Sequence, residues 1–244
     1  VWSGVPLRNV VAALGGVASG AAYLTGTGGE KLPEGVDPLS VLVERSVPVK
    51  ALDDALLAWE MNGEPLSLAH GGPLRLVVPG YQGVNNIKYV KRVAFTNTQS
   101  QARIMTHSYR LAPLGGKTGP DQASVWEIGV KSWINGPLSE KGAVKAGMVQ
   151  VHGVAFGGTK ALKGVEVSVD GGKTWQAARF IGPDLGKFAW RQFVLPVRLE
   201  AGTYMLASRA TDMAGASQPE EREENLRGYN NTSWRDHAVT VTVA

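Results

Sequence analysis

Apolar and polar positions change rhythm about half-way along the 244 residues. In the first half the periods are mixed. Leu7, Val10, Val11 and Leu14 recur at helical spacing and Gly15-Gly16 supplies a stop, which predicts a short helix over residues 1 to about 16. The glycines from Gly26 to Gly29 and the stretch Leu32 to Gly35 predict loops, and Leu39 to Pro48 predicts a strand that ends at its proline. Asp53 to Met61 reads as a brief helical turn, followed by a tight turn at Asn62-Gly63-Glu64-Pro65. The run Leu74 to Pro79 predicts a short buried strand with one charge, Arg75, and a charge in such surroundings needs an anionic partner.

After the Gly- and Pro-rich text from Pro113 to Pro120 the pattern becomes a series of short strands. A domain junction is therefore expected there, dividing residues 1–115 from 116–244. Val165 to Val169 alternates cleanly, Asp170-Gly171-Gly172 is a hairpin signal, and Thr174-Trp175 begins the return strand. Phe188 to Pro196, Thr203 to Ala210 and Ala238 to Val243 continue the spacing, so the second half is expected to be an immunoglobulin-like β-sandwich without the cysteine pair of antibody domains.

Composition agrees with a mostly β class. Thirty-one glycines and thirteen prolines imply many short elements joined by turns, and 43 % apolar residues is ordinary for a globular chain. No uninterrupted apolar run of about 18 residues is present, so no membrane-spanning helix is expected. With no cysteine, these residues supply no disulfide, thiolate nucleophile, zinc finger or iron–sulfur ligand. The formal charge is +4, but Lys and Arg are scattered, which predicts a solvated basic surface and no nucleic-acid partner.

Several chemical motifs fail on their own geometry. Gly-Gly-Lys-Thr occurs at 115–118 and 171–174, yet a phosphate-binding loop needs a further glycine where these copies have Leu111 and Val167. His70, His107, His152 and His237 lie far apart without zinc-ligand spacing, so no metal ligand is assigned. A Gly-x-Ser-x-Gly elbow is missing, and the overlapping glycosylation sequons of Asn230 to Ser233 have meaning only in a glycosylating pathway.

Three segments together resemble the sulfite oxidase family of molybdenum enzymes. The first runs from Leu56-Leu57-Ala58-Trp59-Glu60-Met61-Asn62-Gly63-Glu64-Pro65 through His70-Gly71-Gly72-Pro73-Leu74-Arg75-Leu76-Val77-Val78-Pro79-Gly80 to Asn86-Ile87-Lys88-Tyr89-Val90. The resemblance implies that His70, Arg75 and Lys88 contact a molybdopterin cofactor and its phosphate, a dianion suited to one bidentate guanidinium and one ammonium. The second is Met105-Thr106-His107-Ser108-Tyr109-Arg110, where Tyr109 stands twenty residues after Tyr89, at the spacing of the family's active-site tyrosine. A phenol remains neutral near pH 7 and donates a hydrogen bond to a substrate or product oxygen. The third is Asn225-Leu226-Arg227-Gly228-Tyr229, whose arginine is implied to join the anion pocket from a junction loop, so Tyr109 and Arg227 are the candidate catalytic residues.

Lys131-Ser132-Trp133-Ile134-Asn135 and Ser168 to Trp175 resemble the family's dimerisation domain, so the likeness spans nearly the whole chain. It implies an α+β remnant of the molybdopterin domain followed by the β-sandwich, and a homodimer. The implied activity is oxidation of sulfite, or a related sulfur oxyanion, with electrons passed to a c-type cytochrome. The alternatives are the sulfane dehydrogenase subunit of thiosulfate oxidation and a cofactor-free binding or dimerisation module. No Cys-x-x-Cys-His is present, so any heme belongs to a partner. A periplasmic location is implied by the bacterial members alone. The family's metal-ligating cysteine lies upstream of the segment that Val1-Trp2-Ser3-Gly4 resembles, and the expectation is that these residues are a piece of a longer enzyme.

Overall fold

Strands dominate both halves of the chain. The computed structural model describes residues 1–244, apart from the side chain of Lys141, and contacts divide it into two units. The first comprises Val1–Trp126 and Glu224–Tyr229, the second Glu127–Glu223 and Asn230–Ala244.

In the first unit, β1 (Trp2–Pro6) leads directly into α1 (Leu7–Ala13). The helix expected over residues 1–16 is thus confined to its middle, because the first residues are held in a ladder with a later strand, β4. Gly4 makes that pairing possible: a Cβ there would lie 2.2 Å from the Leu57 carbonyl oxygen. Leu7 and Val11 are buried while Leu14, past the helix end, is exposed.

The strand β2 (Tyr23–Gly28) includes two of the glycines expected to form a loop. Gly26 sits in mid-strand because Leu76 and Ile87 press on it, leaving 2.7 Å and 3.0 Å to an added Cβ. The strand expected from Leu39 starts later. Asp37 accepts the Leu39 N–H at 3.1 Å and caps the short α2 (Pro38–Val41), and β3 then occupies Glu44–Pro48.

A helical turn was expected at Asp53 to Met61, but β4 (Leu56–Met61) is a central strand, paired with β1 on one side and with β5 (Glu64–Pro65) and β6 (Arg75–Val77) on the other. Hydrogen-bond partners on both flanks override the weak local helical pattern. Asn62 and Gly63, at φ 56° and 84°, form the tight turn between β4 and β5. A separate three-stranded sheet places β2 between β3 and β7 (Val90–Thr96). The first core contains Leu7, Leu24, Val47, Leu76, Val78 and Ile87, and the one-turn α3 (Arg103–Thr106) buries Met105.

In the second unit a single hydrogen-bonded path joins seven strands: β8 (Lys131–Gly136), β9 (Gly147–Phe156), β10 (Leu162–Ser168), β11 (Gln176–Ile181), β12 (Arg191–Leu199), β13 (Gly202–Asp212) and β14 (Val239–Val243). Their spatial order is β14-β13-β10-β11-β12-β9-β8. The sheet folds over a main core of Ile134, Val151, Val165, Phe193, Leu206 and Val241, with a smaller cluster of Val149, Leu199 and Val243, and Ser132 on β8 reaches Ser208 on β13 at 2.9 Å. This is the mostly β, sandwich-like class that the strand spacing predicts. The second Gly-Gly-Lys-Thr lies in the hairpin between β10 and β11, where Asp170 accepts the Lys173 and Thr174 N–H groups. Those bonds, led by the one from the Thr174 hydroxyl, hold the Asp170 carboxyl well below the usual range.

Candidate functional site

The candidate residues fall into two groups in the first unit. One is built on the three-residue turn Leu68–His70 and the segment that follows β6. Arg75 is on β6 opposite Ala58, and its Nη1 donates to the His70 carbonyl at 3.0 Å. Lys88 Nζ donates to the neighbouring Ala69 carbonyl at 2.5 Å, and His70 Nδ1 is 2.9 Å from the Ser67 hydroxyl. Two cations thus converge on consecutive carbonyls of one turn, with the imidazole beside them.

Glycine is required where the turn closes. Gly71 has φ 96°, a Cβ on it would stand 2.7 Å from Lys88 Cβ, and its carbonyl accepts the Tyr89 N–H at 3.0 Å. Among the described residues no carboxylate pairs with Arg75. Its guanidinium lies 5.2 Å from the Trp2 ring centroid and its Nε is buried without a hydrogen-bond partner. Burial lowers its pKa, against a smaller upward pull from Tyr89.

The second group lines a cleft of about 290 Å³ formed by Arg103, His107, Ser108, Tyr109, Thr118, Arg227 and Tyr229. Tyr109 and Arg227, far apart in sequence, therefore meet. Tyr109 follows α3 with φ 53°, and its carbonyl accepts the Val125 N–H at 2.8 Å. The Asn225–Tyr229 loop is stapled by Asn225: its Nδ2 donates to the Tyr229 carbonyl at 2.8 Å and its Oδ1 accepts the Tyr229 N–H at 2.9 Å. Leu226 N–H donates to the Ala112 carbonyl at 2.8 Å, which fixes the loop beside the cleft wall, and the Tyr109 and Tyr229 rings stack at 5.7 Å. Thr118 comes from the first Gly-Gly-Lys-Thr, so that loop reaches the cleft without forming a phosphate-binding loop.

Sequence reasoning missed two residues that bear on this cleft. Arg45 on β3 is only 1 % exposed, and Arg110 is buried next to Tyr109. Neither touches a carboxylate among the described residues. Arg45 donates to Asn85 Oδ1, the Ile104 carbonyl and Ser124 Oγ at 3.1, 2.8 and 2.9 Å. Arg110 donates to the Met105 and Gln122 carbonyls and to Gln99 Oε1 at 2.7, 2.9 and 2.8 Å. Burial, and then the charge of Arg110, push the Arg45 pKa down to about 10, so it remains a cation near neutrality. The guanidinium of Arg45 stands 5.7 Å from the Tyr109 ring centroid.

Residues 1–104 match the family model of the oxidoreductase molybdopterin binding domain, and residues 122–243 that of the Mo-co oxidoreductase dimerisation domain. The chain belongs to the sulfite oxidase family. Sulfite oxidase of Gallus gallus is 32 % identical over 249 residues, covering 96 % of this chain and 53 % of that protein. An inducible NADH nitrate reductase of Glycine max is also 32 % identical, over 96 % of this chain and 29 % of its own length. Among solved structures, the sulfane dehydrogenase SoxCD from Paracoccus pantotrophus superposes with a TM-score of 0.77 at 29 % identity, covering 98 % of this chain and 62 % of that one. This sulfite oxidase-family chain thus spans about half the length of the sulfite oxidase it matches and under a third of the nitrate reductase. Molybdopterin is the cofactor of the fold. No helix is long and apolar enough to cross a membrane among the described residues.

Proposed function

We propose that this chain forms part of a molybdenum enzyme that oxidises sulfite to sulfate and delivers the electrons to a c-type cytochrome, any heme being held by that partner. The observation that carries the reading is the cleft shared by Tyr109 and Arg227, which Arg103 and His107 also line and to which no carboxylate contributes among the described residues. Such a lining selects an oxyanion: a planar guanidinium grips two of its oxygens while a neutral phenol donates to a third.

The His70, Arg75 and Lys88 group fits molybdopterin. An unpartnered buried Nε on Arg75 asks for an acceptor, a phosphate oxygen satisfies it, and Lys88 adds a second positive charge. Gly71 keeps the approach to Lys88 narrow. When bound, the cofactor supplies oxygen-atom transfer and accepts two electrons. The chain's own residues do the rest: Arg227 and Arg103 hold the anion, and Tyr109 orients its oxygen by a hydrogen bond. In the balanced reaction sulfite and water give sulfate, two protons and two electrons. With no cysteine in the 244 residues, a thiolate for the metal comes from outside them. The dimerisation-domain match supports a homodimer, and the likeness to a bacterial sulfane dehydrogenase supports a periplasmic site of action.

That structural likeness also favours a second reading, oxidation of sulfane sulfur on a carrier. Turnover of free sulfite against thiosulfate-derived, carrier-bound sulfur separates the two. In the full-length protein, Arg75→Ala is expected to empty the pterin site, Tyr109→Phe to lower kcat and Arg227→Ala to raise KM for sulfite. Retained pterin in the first variant, with unchanged kinetics in the other two, would remove these residues from the site.

A further inference from the structure

Arg45 is a fully buried cation whose hydrogen-bond acceptors among the described residues are all neutral: an amide oxygen, a hydroxyl and backbone carbonyls. Burying a guanidinium without a carboxylate is costly, and folded chains retain the arrangement where something nearby benefits from the charge. Two observations say where the charge is directed. The guanidinium sits 5.7 Å from the ring of Tyr109, which itself stacks on Tyr229 at 5.7 Å, and both rings line the cleft. The rings and protein behind them shield Arg45 from water, so its field is weakly screened on the cleft side. The two arginines of the lining, Arg103 and Arg227, are exposed and make no side-chain hydrogen bond or ion pair among the described residues.

We propose that Arg45 is the positioning residue that sets the charge preference of this cleft, its buried cation beneath Tyr109 favouring a doubly charged oxyanion over a singly charged one of the same shape. The inference rests on the reading of the cleft as the sulfur oxyanion site and adds a residue that never touches the substrate. Asn85 holds the guanidinium in place, receiving both Nε and Nη2 on its Oδ1 at 3.2 and 3.1 Å while its Nδ2 donates to the Val125 carbonyl at 3.1 Å.

Sulfate and perchlorate are both tetrahedral and differ by one charge, so their relative affinity for the cofactor-loaded protein, measured calorimetrically at constant ionic strength, reads the field of Arg45. Each ligand charge meets that field once, so Arg45→Gln is expected to weaken sulfate about tenfold more than perchlorate, and Arg45→Lys to restore most of the ratio. An unchanged ratio in Arg45→Gln, with circular dichroism and pterin content as in the parent, overturns the proposal. Where Arg45→Gln does not fold, Asn85→Asp places a carboxylate against the guanidinium: weaker sulfate binding supports the proposal and parental affinity overturns it. Arg227→Ala separates the two levels. Parental sulfate affinity in that variant overturns the cleft reading together with the role of Arg45, whereas lost affinity there beside an unchanged ratio in Arg45→Gln overturns the role of Arg45 alone.

Discussion

Gly71 illustrates how one residue controls the pterin-side group. Its φ of 96° lies in the left-handed region, and a methyl would meet Lys88 at both its Cβ and its Cα, at 2.7 and 2.8 Å. Gly71→Ala should therefore cost about 1–2 kcal/mol of stability through backbone strain, readable as a shifted urea midpoint, and should lower pterin content by moving Lys88. A variant with parental pterin content and midpoint would show that the close approach is dispensable. Arg75 and Arg45 show what could be seen at this scale from sequence. Arg75 interrupts a run of Leu, Val and Pro, and its apolar neighbours mark it as partly buried; within the chain it meets the His70 carbonyl and the Trp2 ring, and its Nε is left for the anionic partner that the pattern calls for. Arg45 stands between Glu44 and Ser46, and Glu-Arg-Ser reads as solvated surface. Its burial comes from Asn85, Ile104, Ser124 and Val125, residues 40 to 80 positions away that local pattern does not connect to it.

Among the elements, those with a clean period of two were legible and those set by distant partners were not. The β10 strand alternates in sequence, and in burial from Gly164 to Val167, and Asp170-Gly171-Gly172 fixes its turn, although the return strand begins at Gln176 and not at Thr174. By contrast, β4 was expected as a helical turn and β1 as the start of the helix marked by Leu7, Val10, Val11 and Leu14, yet both are strands because each supplies the other's ladder. The Asn225–Tyr229 loop is singled out in the sequence only by resemblance; its shape follows from the reciprocal bonds of Asn225 with Tyr229. The core strand β12 offers a test of the second unit. Phe193 is fully buried and sits against Gly153, where a Cβ would be 2.6 Å from its ring. Phe193→Ala should destabilise that unit by about 3–5 kcal/mol, the cost of a large core cavity. Chemical denaturation followed by Trp fluorescence checks it, and a loss under about 1 kcal/mol would mean that the sheet collapses onto the space.

For the whole molecule, two units mean that a single unfolding free energy is not defined. Because the residues proposed to hold pterin and anion all belong to the first unit, cofactor binding should stabilise that unit by mass action and leave the melting of the second unchanged. Hydrogen exchange in the loaded and cofactor-free protein reads this directly: added protection within β6 and β7 is expected, while added protection confined to β8–β14 would count against it. A net charge of +4 helps gather anions at long range, an effect that rising salt removes, whereas the buried charge of Arg45 is less exposed to screening.

The six residues Glu224–Tyr229 give the first unit a break in its chain, since they arrive only after most of the second unit has been traversed. No single cut after Trp126 yields a fragment that contains one unit whole and nothing else. During synthesis, the cleft gains Arg227 and Tyr229 only after the ribosome has made strands β8 to β13, so its lining is completed more than a hundred residues after Tyr109 has been added. A protease nick between Asp212 and Glu224, even one that releases nothing, would turn the anchoring of that arginine from an intramolecular constraint into an association between two pieces.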